Sequence, residues 1–377
     1  MKAATGLLTV NLDALVENWE SLRRRAPQAN VAAVIKADAY GLGAVPVARA
    51  LARAGCRQFF FATVPEALAV RHLLPDSSEC FILGGVAPDD MSAVFEHRLT
   101  PILSSQSEFE RWSEWTEAYG HCGAGCGLKF DSGMTRMGLE PDELLAIARQ
   151  PERCERLGVK LVMSHLACAD EAAHPQNAAQ LEMFSRVRTQ VASYLPGVKF
   201  SLANSCGIYL GDDYHADLVR PGAALYGFNP APGAANPMRP VVTLRLPVLQ
   251  VRCLHHSASI GYGAEATRPT GAVLAVVAGG YADGLHRILG AQGAAECAGQ
   301  EVPVVGRISM DTTLFDLTDL PDAQTLAGGS MDYPVLTVLG GAFDVNRVST
   351  RNRALGYEVL TGLRSGRYRR EYIGGEG

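Results

Sequence analysis

The chain has 377 residues, more than one hydrophobic core ordinarily holds, so its length predicts two domains. Hydrophobic residues make up 47% of the sequence and charged residues 19%, a balance typical of globular proteins. The formal net charge of −5 leaves no basic field that could hold a polyanion, so nucleic acid is not an expected partner.

The nine cysteines are odd in number and scattered, which is typical of reduced thiols in a cytoplasmic protein. The N-terminal stretch MKAATGLLTVNLD lacks the apolar segment of a signal peptide, and no apolar run is long enough to cross a bilayer. His121, Cys122 and Cys126 are potential zinc ligands, but no second ligand pair at zinc-like spacing accompanies them. We therefore expect a cytoplasmic location, no membrane partner and no metal site.

The first part of the chain alternates between helical and strand-like patterns. Leu12, Leu15, Trp19 and Leu22 share one helical face, and Asp13 can help to cap that helix. Continuous apolar runs then alternate with helical stretches, which indicates a parallel sheet covered on its outer face. Eight such units favour a closed (β/α)₈ barrel, with an open doubly wound sheet as the alternative. The strand-like runs are 31–35, 58–62, 80–83, 101–103, 128–130, 159–163, 198–202 and 218–219.

A mainly β domain is predicted after the proline-rich segment 229–232. Its strand-like runs are punctuated by glycine and proline, and helical stretches are few until the end of the chain. We expect the barrel to span 9–233 and the β domain 234–377, with a short strand in 1–8 packing with the β domain. The strand-like runs of this second domain are 241–254, 272–278, 302–305, 313–317 and 334–339.

Polar side chains stand at or just after the ends of several predicted barrel strands. They include Lys36, Lys129, His165 and Arg220, together with the small-residue turn that contains Ser205. Barrel enzymes place their chemistry at the carboxyl ends of the strands, so these residues should share one rim. Cations and a turn that can offer backbone N–H groups indicate a pocket for a phosphorylated ring held by a lysine.

Lys36 is unusual in its position, because a charged residue stands at the end of an apolar run and a glycine-rich turn follows it. Three interpretations are open from the residues alone: a solvated surface lysine, a phosphate-binding lysine, or a lysine bonded covalently to a cofactor.

Nine segments distributed over nearly the whole chain resemble the alanine racemase family, which uses pyridoxal phosphate (PLP) and belongs to fold type III. The family fold is a (β/α)₈ barrel followed by a β domain, in agreement with the pattern above. The segments are IKADAYGLG (35–43), LKFDSGMTRMG (128–138), SHLACAD (164–170), ANS (203–205), VRPGAALYG (219–227), IGYGA (260–264), GGYADG (279–284), GRISMD (306–311) and GYEVLTGL (356–363).

The resemblance implies a homodimer in which two bases act on opposite faces of the substrate. Lys36 is similar to the lysine that bonds to PLP, and burial beside other cations would lower its pKa so that it can act as a base. Tyr262 matches the second base, which this family supplies from the partner subunit. Arg220 matches the arginine at the pyridine nitrogen, and His165 matches the histidine that links Arg220 to the tyrosine.

The resemblance also assigns the remaining contacts of cofactor and substrate. Lys129 matches a lysine that is carbamylated in members of the family and braces Arg136; the alternative is an ordinary lysine paired with Asp131. The other cofactor contacts implied are Tyr40, Asn204, Ser205, Tyr357 and the backbone of Gly222 and Ala223. Substrate carboxylate contacts are Arg136 and Met310, and the residues along the access route are Asp170, Tyr281, Arg307 and Asp311.

The function implied is interconversion of L- and D-alanine, which supplies D-alanine for peptidoglycan. Departures from the family pattern at Leu42, Gly279 and Ser309 leave the range of substrates open, so a racemase of broader or shifted specificity, for instance toward serine, is the main alternative. Decarboxylases of the same fold type place an acid where Arg220 stands. PLP-carrier proteins resemble the barrel alone and have no domain corresponding to 234–377.

Overall fold

The structure, a computed structural model, describes residues 5–120, 123, 125–285, 293–328, 335–352, 356–363 and 366–375. The chain forms two compact units. The first, here called the β unit, comprises the residues up to Ala14, Tyr40–Leu42 and Pro240–Gly374. The second, here called the barrel unit, comprises Leu15–Ala39 and Gly43–Arg239 together with Gly375.

Parallel strands of two to five residues form the centre of the barrel unit. Seven of them pair in chain order, from β3 to β9. Each overlaps one of the continuous apolar runs of the sequence, since both faces of a parallel sheet are buried. The strands are β2 (Asn30–Val31), β3 (Ala33–Val34), β4 (Gln58–Phe61), β5 (Glu79–Ile82), β6 (Leu99–Leu103), β7 (Cys126–Lys129), β8 (Val159–Met163), β9 (Lys199–Ser201) and β10 (Leu218–Val219).

Backbone hydrogen bonds close this sheet into the (β/α)₈ barrel expected from the sequence. On one side, β10 pairs in parallel with β2, with Leu218 opposite Asn30, and Val34 N donates to Pro221 O at 2.9 Å. On the other side, Asp217 N donates to Phe200 O at 3.0 Å, which connects β10 to β9. Closure matters for the site because it brings the carboxyl ends of all the strands to one rim.

Helices follow most of the barrel strands. In α1, Asp13 lies in the first turn and arginines fill the last turn, so both ends complement the helix dipole. The helices are α1 (Leu12–Arg25), α2 (Lys36–Tyr40), α3 (Ala44–Arg53), α4 (Val64–Arg71), α5 (Met91–Glu96), α6 (Gln106–Tyr119), α7 (Pro141–Ala148), α8 (Pro151–Arg156), α9 (Pro175–Tyr194) and α10 (Gly207–Leu210).

A cluster of buried apolar side chains, mainly from the strands, forms a core of the barrel unit. Phe60 and Phe81 stack there with their ring centroids 4.5 Å apart. Burying such side chains is worth about 1.5–3 kcal/mol each relative to exposing them. The cluster consists of Ala32, Val34, Phe60, Phe81, Ile102, Leu161, Met163 and Leu218.

The β unit is built on a long strand, β11 (Val242–Cys253). The N-terminal strand β1 (Leu7–Asn11) pairs antiparallel with β11 and parallel with the last strand, β19 (Arg369–Ile373). The other strands are β12 (Ala258–Ile260), β13 (Ala266–Arg268), β14 (Val273–Ala278), β15 (Ala294–Cys297), β16 (Gln300–Pro303), β17 (Thr312–Asp316) and β18 (Val335–Leu339), and the helices are α11 (Ala323–Ala327), α12 (Val345–Asn352) and α13 (Gly356–Gly362).

Across the parts of the chain that the structure describes, no helix combines the length and the apolar character needed to cross a membrane.

Candidate active site

The predicted rim residues lie at or just after the carboxyl ends of five strands of the barrel unit. Lys36 comes two residues after β3, Lys129 is the last residue of β7, and His165 comes two residues after β8. Ser205 follows β9, and Arg220 follows β10 directly. Lys36, Lys129, His165 and Arg220 are close enough for their charges to influence one another, so the barrel gathers them at one end.

Lys36 is partly buried, and its pKa is lowered. Burial is the largest cause, and the positive charge of Arg136 acts in the same direction. The carboxylate of Glu66 opposes both by favouring the ammonium form. A lysine in this setting presents a neutral amine more readily than a solvated lysine does, which is what covalent bonding to a carbonyl and proton abstraction both require.

A left-handed turn of four non-glycine residues follows Lys36 immediately. Ala37, Asp38, Ala39 and Tyr40 have φ values of 53°, 55°, 54° and 57°. For L-residues this conformation costs roughly 1–2 kcal/mol each. Local hydrogen bonds offset the cost: the Asp38 carbonyl accepts from Gly43 N at 2.9 Å, and its carboxylate accepts from Ala44 N at 2.7 Å.

Arg220 is 4% exposed, and its guanidinium makes several hydrogen bonds. Nη2 donates to Ser164 O at 2.6 Å and to Leu202 O at 3.3 Å, and it lies 3.4 Å from His165 Nδ1. Nη1 donates to Ser201 Oγ. Burial lowers the pKa of Arg220 to about 9, so the guanidinium stays charged at neutral pH.

His165 lies among these cations with its pKa held well below the ordinary range. Burial is the main cause, followed by the positive charge of Arg220. The ring is therefore neutral at pH 7, and Nδ1 can accept the proton that Arg220 Nη2 donates. The predicted link between Arg220 and His165 is consistent with this geometry.

Lys129 is 7% exposed, and burial with the charges of Arg136 and Arg220 lowers its pKa to about 8. Asp131, two residues on, opposes the shift but uses both carboxylate oxygens elsewhere. It accepts backbone N–H bonds from the three residues 133–135 at 2.7–2.8 Å. Asp131 thereby orders the loop that carries Arg136.

Gln180 of α9 is a supporting residue that the sequence pattern did not reveal. It is fully buried, its Nε2 donates to Ser132 Oγ at 3.1 Å and to His165 O at 2.9 Å, and its Oε1 accepts from Ala167 N at 2.8 Å. The sequence did contain a signal for this role, namely a glutamine on the inner face of a helix. A buried amide must find hydrogen-bond partners, so such a residue indicates a polar contact inside the protein.

A second group of donors surrounds Ser205. Its Oγ accepts from Gly222 N and Ala224 N, each at 3.1 Å, so its own hydrogen is free to be donated. Ala223 lies between those two amides and is buried. The Asn204 side chain instead caps the following turn, because its Oδ1 accepts from Gly207 N at 2.9 Å.

Asp170, another predicted residue of the barrel unit, lies in the loop between β8 and α9. Its charge adds to burial in raising the pKa of the Cys206 thiol to about 11. Among the described residues no group of three or more His, Cys, Asp or Glu side chains could hold a metal ion, and His121 and Cys122 lie outside that set.

The remaining predicted residues lie in the β unit. Tyr40 and Tyr357 meet edge to face with ring centroids 6.1 Å apart, and burial raises the pKa of Tyr40 far above its usual range. Tyr262 is 71% exposed. The Arg307 guanidinium reaches Glu265 and packs where a Cβ on Gly263 would lie.

Tyr281, Met310 and Asp311 are also brought close together within the β unit. Ser309 O accepts from Tyr281 N at 3.0 Å, and Met310 O accepts from Ala282 N at 3.1 Å. The Met310 side chain is 53% exposed. Asp311 Oδ1 accepts from Arg367 Nη2 at 2.7 Å, which fixes the end of this loop.

The residues of the barrel unit fit PLP. Among the described residues, the carboxylate of Glu66 influences Lys36 and that of Asp131 influences Lys129, while Arg136 and Arg220 add positive charge, so the rim favours an anionic guest such as a phosphate ester. A lysine with a lowered pKa can bond to the aldehyde group of PLP, because more of its amine is neutral. A barrel with these features defines a PLP-dependent enzyme of fold type III.

Comparison with known proteins identifies the family. Residues 10–230 match the alanine racemase N-terminal domain, and residues 241–372 match the C-terminal domain. The chain is 44% identical to the alanine racemase of Rhodospirillum rubrum over 98% of this chain and 96% of that protein. It is 40% identical to a catabolic alanine racemase of Agrobacterium fabrum over 98% and 92% of the two chains.

A solved structure agrees with these sequence relatives. Alanine racemase from Bartonella henselae, with covalently bound pyridoxal phosphate, superposes with a TM-score of 0.90 at 36% identity, over 98% of this chain and all of that one. The chain belongs to the alanine racemase family. It is an amino-acid racemase that depends on PLP, as the motifs predicted, and its reaction is the interconversion of L- and D-alanine.

Proposed function

We propose that the reaction uses two bases: Lys36 on one face of the substrate and Tyr262 of the partner subunit on the other. The observation that carries this proposal is the lowered pKa of Lys36, which stands beside Arg136 at the barrel rim. A racemase must remove a proton from one face of Cα and return one to the opposite face. Two bases achieve this without any group crossing the substrate.

The cofactor would be held by Lys36, with Arg220 at the ring nitrogen and Ser205 at the phosphate. Tyr40, Tyr357 and Asn204, with the backbone of Gly222 and Ala223, complete the proposed contacts. Bound PLP withdraws electrons from the Cα of the amino acid and so makes its hydrogen acidic. All further steps are proton transfers by groups of the chain.

We assign removal of the Cα proton of D-alanine to Lys36 Nζ and that of L-alanine to Tyr262 Oη. The exposed side chain of Tyr262 supports a role outside its own subunit, since 71% of it is accessible. Each base, once protonated, returns a proton to its own face for the opposite direction of reaction. The resulting enzyme is a homodimer with shared active sites.

Arg220 and His165 set the electronic character of this site. A guanidinium donates and stays charged, so the ring nitrogen it meets remains unprotonated and withdraws electrons less strongly. The neutral His165 lies against Arg220. It would link that guanidinium to Tyr262 of the partner subunit. We infer that this arrangement suppresses side reactions such as transamination.

The substrate carboxylate would contact Arg136 and the backbone N–H of Met310. The buried Lys129, as a carbamate, would pair with Arg136 and turn a repulsion between cations into an ion pair. A narrow, polar access route would favour alanine and admit serine slowly. The proposed access residues are Asp170, Tyr281, Arg307 and Asp311.

The cellular role follows from the product. We propose that the enzyme supplies D-alanine for peptidoglycan. One relative, at 40% identity, carries the name catabolic alanine racemase. A cytoplasmic location is supported by free thiols at Cys56, Cys80 and Cys154. We keep 9–233 and 234–377 as the proposed domains.

The test is to incubate the PLP-loaded enzyme with L-alanine in D₂O and to follow chirality and Cα deuteration together. The expected result is loss of optical activity with deuterium at Cα of the D-alanine formed. Bound PLP with neither exchange nor racemisation would overturn the proposal and favour a carrier role. Serine, tested in parallel, measures the substrate range.

A further inference from the structure

We propose that Glu66 is a positioning residue that holds the backbone beside Lys36 and so aims the lysine at its face of the substrate. This inference rests on the proposed role of Lys36 as a base. Glu66 belongs to the first turn of α4, on the barrel unit next to the strand that leads to Lys36. None of the sequence motifs used above contains it.

The contacts of the Glu66 carboxylate are specific. Oε1 accepts from Ala37 N at 2.9 Å, and Oε2 accepts from Ala62 N at 2.9 Å. Ala37 is the residue after Lys36, and Ala62 follows β4 directly. The carboxylate therefore ties together the loops that leave two neighbouring strands, and it does so one peptide bond away from Lys36.

The turn that begins at Ala37 needs such support. Four successive residues without glycine hold positive φ there, at a cost of roughly 1–2 kcal/mol each. Charge-assisted hydrogen bonds are roughly twice as strong as neutral ones, so an ionised carboxylate is an effective brace.

A second effect of Glu66 acts on the basicity of Lys36. The carboxylate raises the pKa of Lys36, against burial and the charge of Arg136, which lower it. Lys129 and His165 also face Lys36, and Lys129 adds to the positive field only while it is an unmodified ammonium. Glu66 is the one carboxylate among the described residues that favours the ammonium form of Lys36.

The same barrel contains a matched residue without the contact to the lysine. Glu108 occupies the corresponding third position of α6, and its Oε2 accepts from Ser104 N at 2.6 Å, four residues earlier, as Glu66 does from Ala62 N. Both glutamates are partly buried. Glu108→Gln therefore measures the effect on activity of losing such a loop contact when Lys36 is not involved.

The experiment compares Glu66→Gln with Glu108→Gln in the holoenzyme, by exchange of the Cα hydrogen of each alanine enantiomer in D₂O. Glutamine keeps the length but loses the charge, and its amide nitrogen cannot accept from a backbone N–H. Exchange of D-alanine, which uses Lys36, should slow about tenfold to a hundredfold in Glu66→Gln. Exchange of L-alanine, which uses Tyr262, should change less than about threefold.

Two further readouts separate position from charge. Backbone hydrogen exchange at Ala37 should accelerate in Glu66→Gln and stay unchanged in Glu108→Gln. The acid limb of the pH profile for D-alanine exchange should move to lower pH, because loss of the carboxylate lowers the pKa of Lys36 further. Glu66→Asp keeps the charge but is too short to span both amides, so it should slow D-alanine exchange without moving that limb.

Equal slowing for both enantiomers with unchanged Ala37 exchange would overturn the inference, and so would unaltered D-alanine exchange. Should Glu66→Gln fail to fold, the Glu66→Asp variant decides by the same enantiomer comparison. Failure of the two-base scheme is recognised separately, because Tyr262→Phe would then slow both enantiomers equally. The exchange rate at Ala37 reports on the brace in either case.

Discussion

Arg220 Nη2 lies 3.4 Å from His165 Nδ1, with the Arg220 side chain buried and the His165 side chain partly buried. Burial and this contact together keep the imidazole neutral, because a second positive charge there would lose its hydration and would also face the guanidinium directly. The barrel rim thus presents a fixed cation next to a neutral ring. An acid at the position of Arg220 would reverse that arrangement.

Replacing Arg220 with an acid should weaken the selectivity of the reaction. In Arg220→Glu the ring nitrogen would be protonated, and we expect the number of racemisation turnovers per pyruvate formed to fall by at least about tenfold. Pyruvate is measured by a coupled assay. Arg220→Lys, which keeps a positive charge, is the control and should not raise pyruvate formation; an unchanged product ratio in Arg220→Glu would refute the role.

Removing the hydroxyl of Tyr262 should affect the two enantiomers differently. In Tyr262→Phe we expect Cα exchange of L-alanine to fall at least about a hundredfold, while exchange of D-alanine through Lys36 falls less than about tenfold. Exchange is the proper measurement, because kcat/KM must remain equal in both directions for a pair of enantiomers. Tyr119→Phe, an exposed tyrosine of α6, is the control.

Lys129 should carry a carbamate. Its pKa of about 8 leaves roughly a tenth of the amine neutral at pH 7, enough to react with carbon dioxide. We expect a carbamate signal in carbon NMR after growth or incubation with ¹³C-bicarbonate, increasing as the pH rises toward 8. The signal should vanish in Lys129→Ala and persist in Lys160→Ala; a free amine by intact mass at pH 8 would contradict this prediction.

Two adjacent glycines provide a test of the loop that holds Met310. A Cβ on Gly280 would lie 2.3 Å from the carbonyl oxygens of Ser309 and Met310, whereas one on Gly279 would meet the flexible Leu246 side chain at 2.8 Å. Gly280→Ala should therefore lower the free energy of unfolding by about 1–3 kcal/mol.

The same change should raise KM for alanine several-fold, because Met310 N is proposed to meet the carboxylate. Gly279→Ala is the matched control, since its Cβ would meet side-chain atoms of Leu246 and not the backbone at Met310. Thermal unfolding and steady-state kinetics measure the two effects. Equal behaviour of the two variants would show that the backbone at Met310 does not constrain the site.

Much of the barrel could be predicted from sequence because each short apolar run has only one way to be buried. The runs 159–163 and 218–219 coincide with β8 and β10 as observed. Residues such as Lys36 and Arg220 were found because strand ends in a barrel converge on one rim. The family motifs then supplied the predicted roles of these residues, which the hydrophobic periodicity of the sequence cannot give.

The turn after Lys36 could not be predicted in the same way. Nothing in KADAY favours positive φ, since it contains no glycine and its alanines are strong formers of right-handed helix. The turn is held in part by the Glu66 carboxylate of α4, which accepts from Ala37 N, so the information lies elsewhere in the chain. Glu66 itself had a local signal, because Thr63 and Glu66 have the spacing of a helix N-terminal capping box.

The position of β1 has a consequence for the order in which the protein can fold. Leu7–Asn11 pairs with β11 and with β19, whose last residue is Ile373. Synthesis proceeds from the N-terminus, and domains tend to fold as they emerge. β1 is therefore synthesised before both of its partners, and it stays unpaired with them while the entire barrel, through β10, is made.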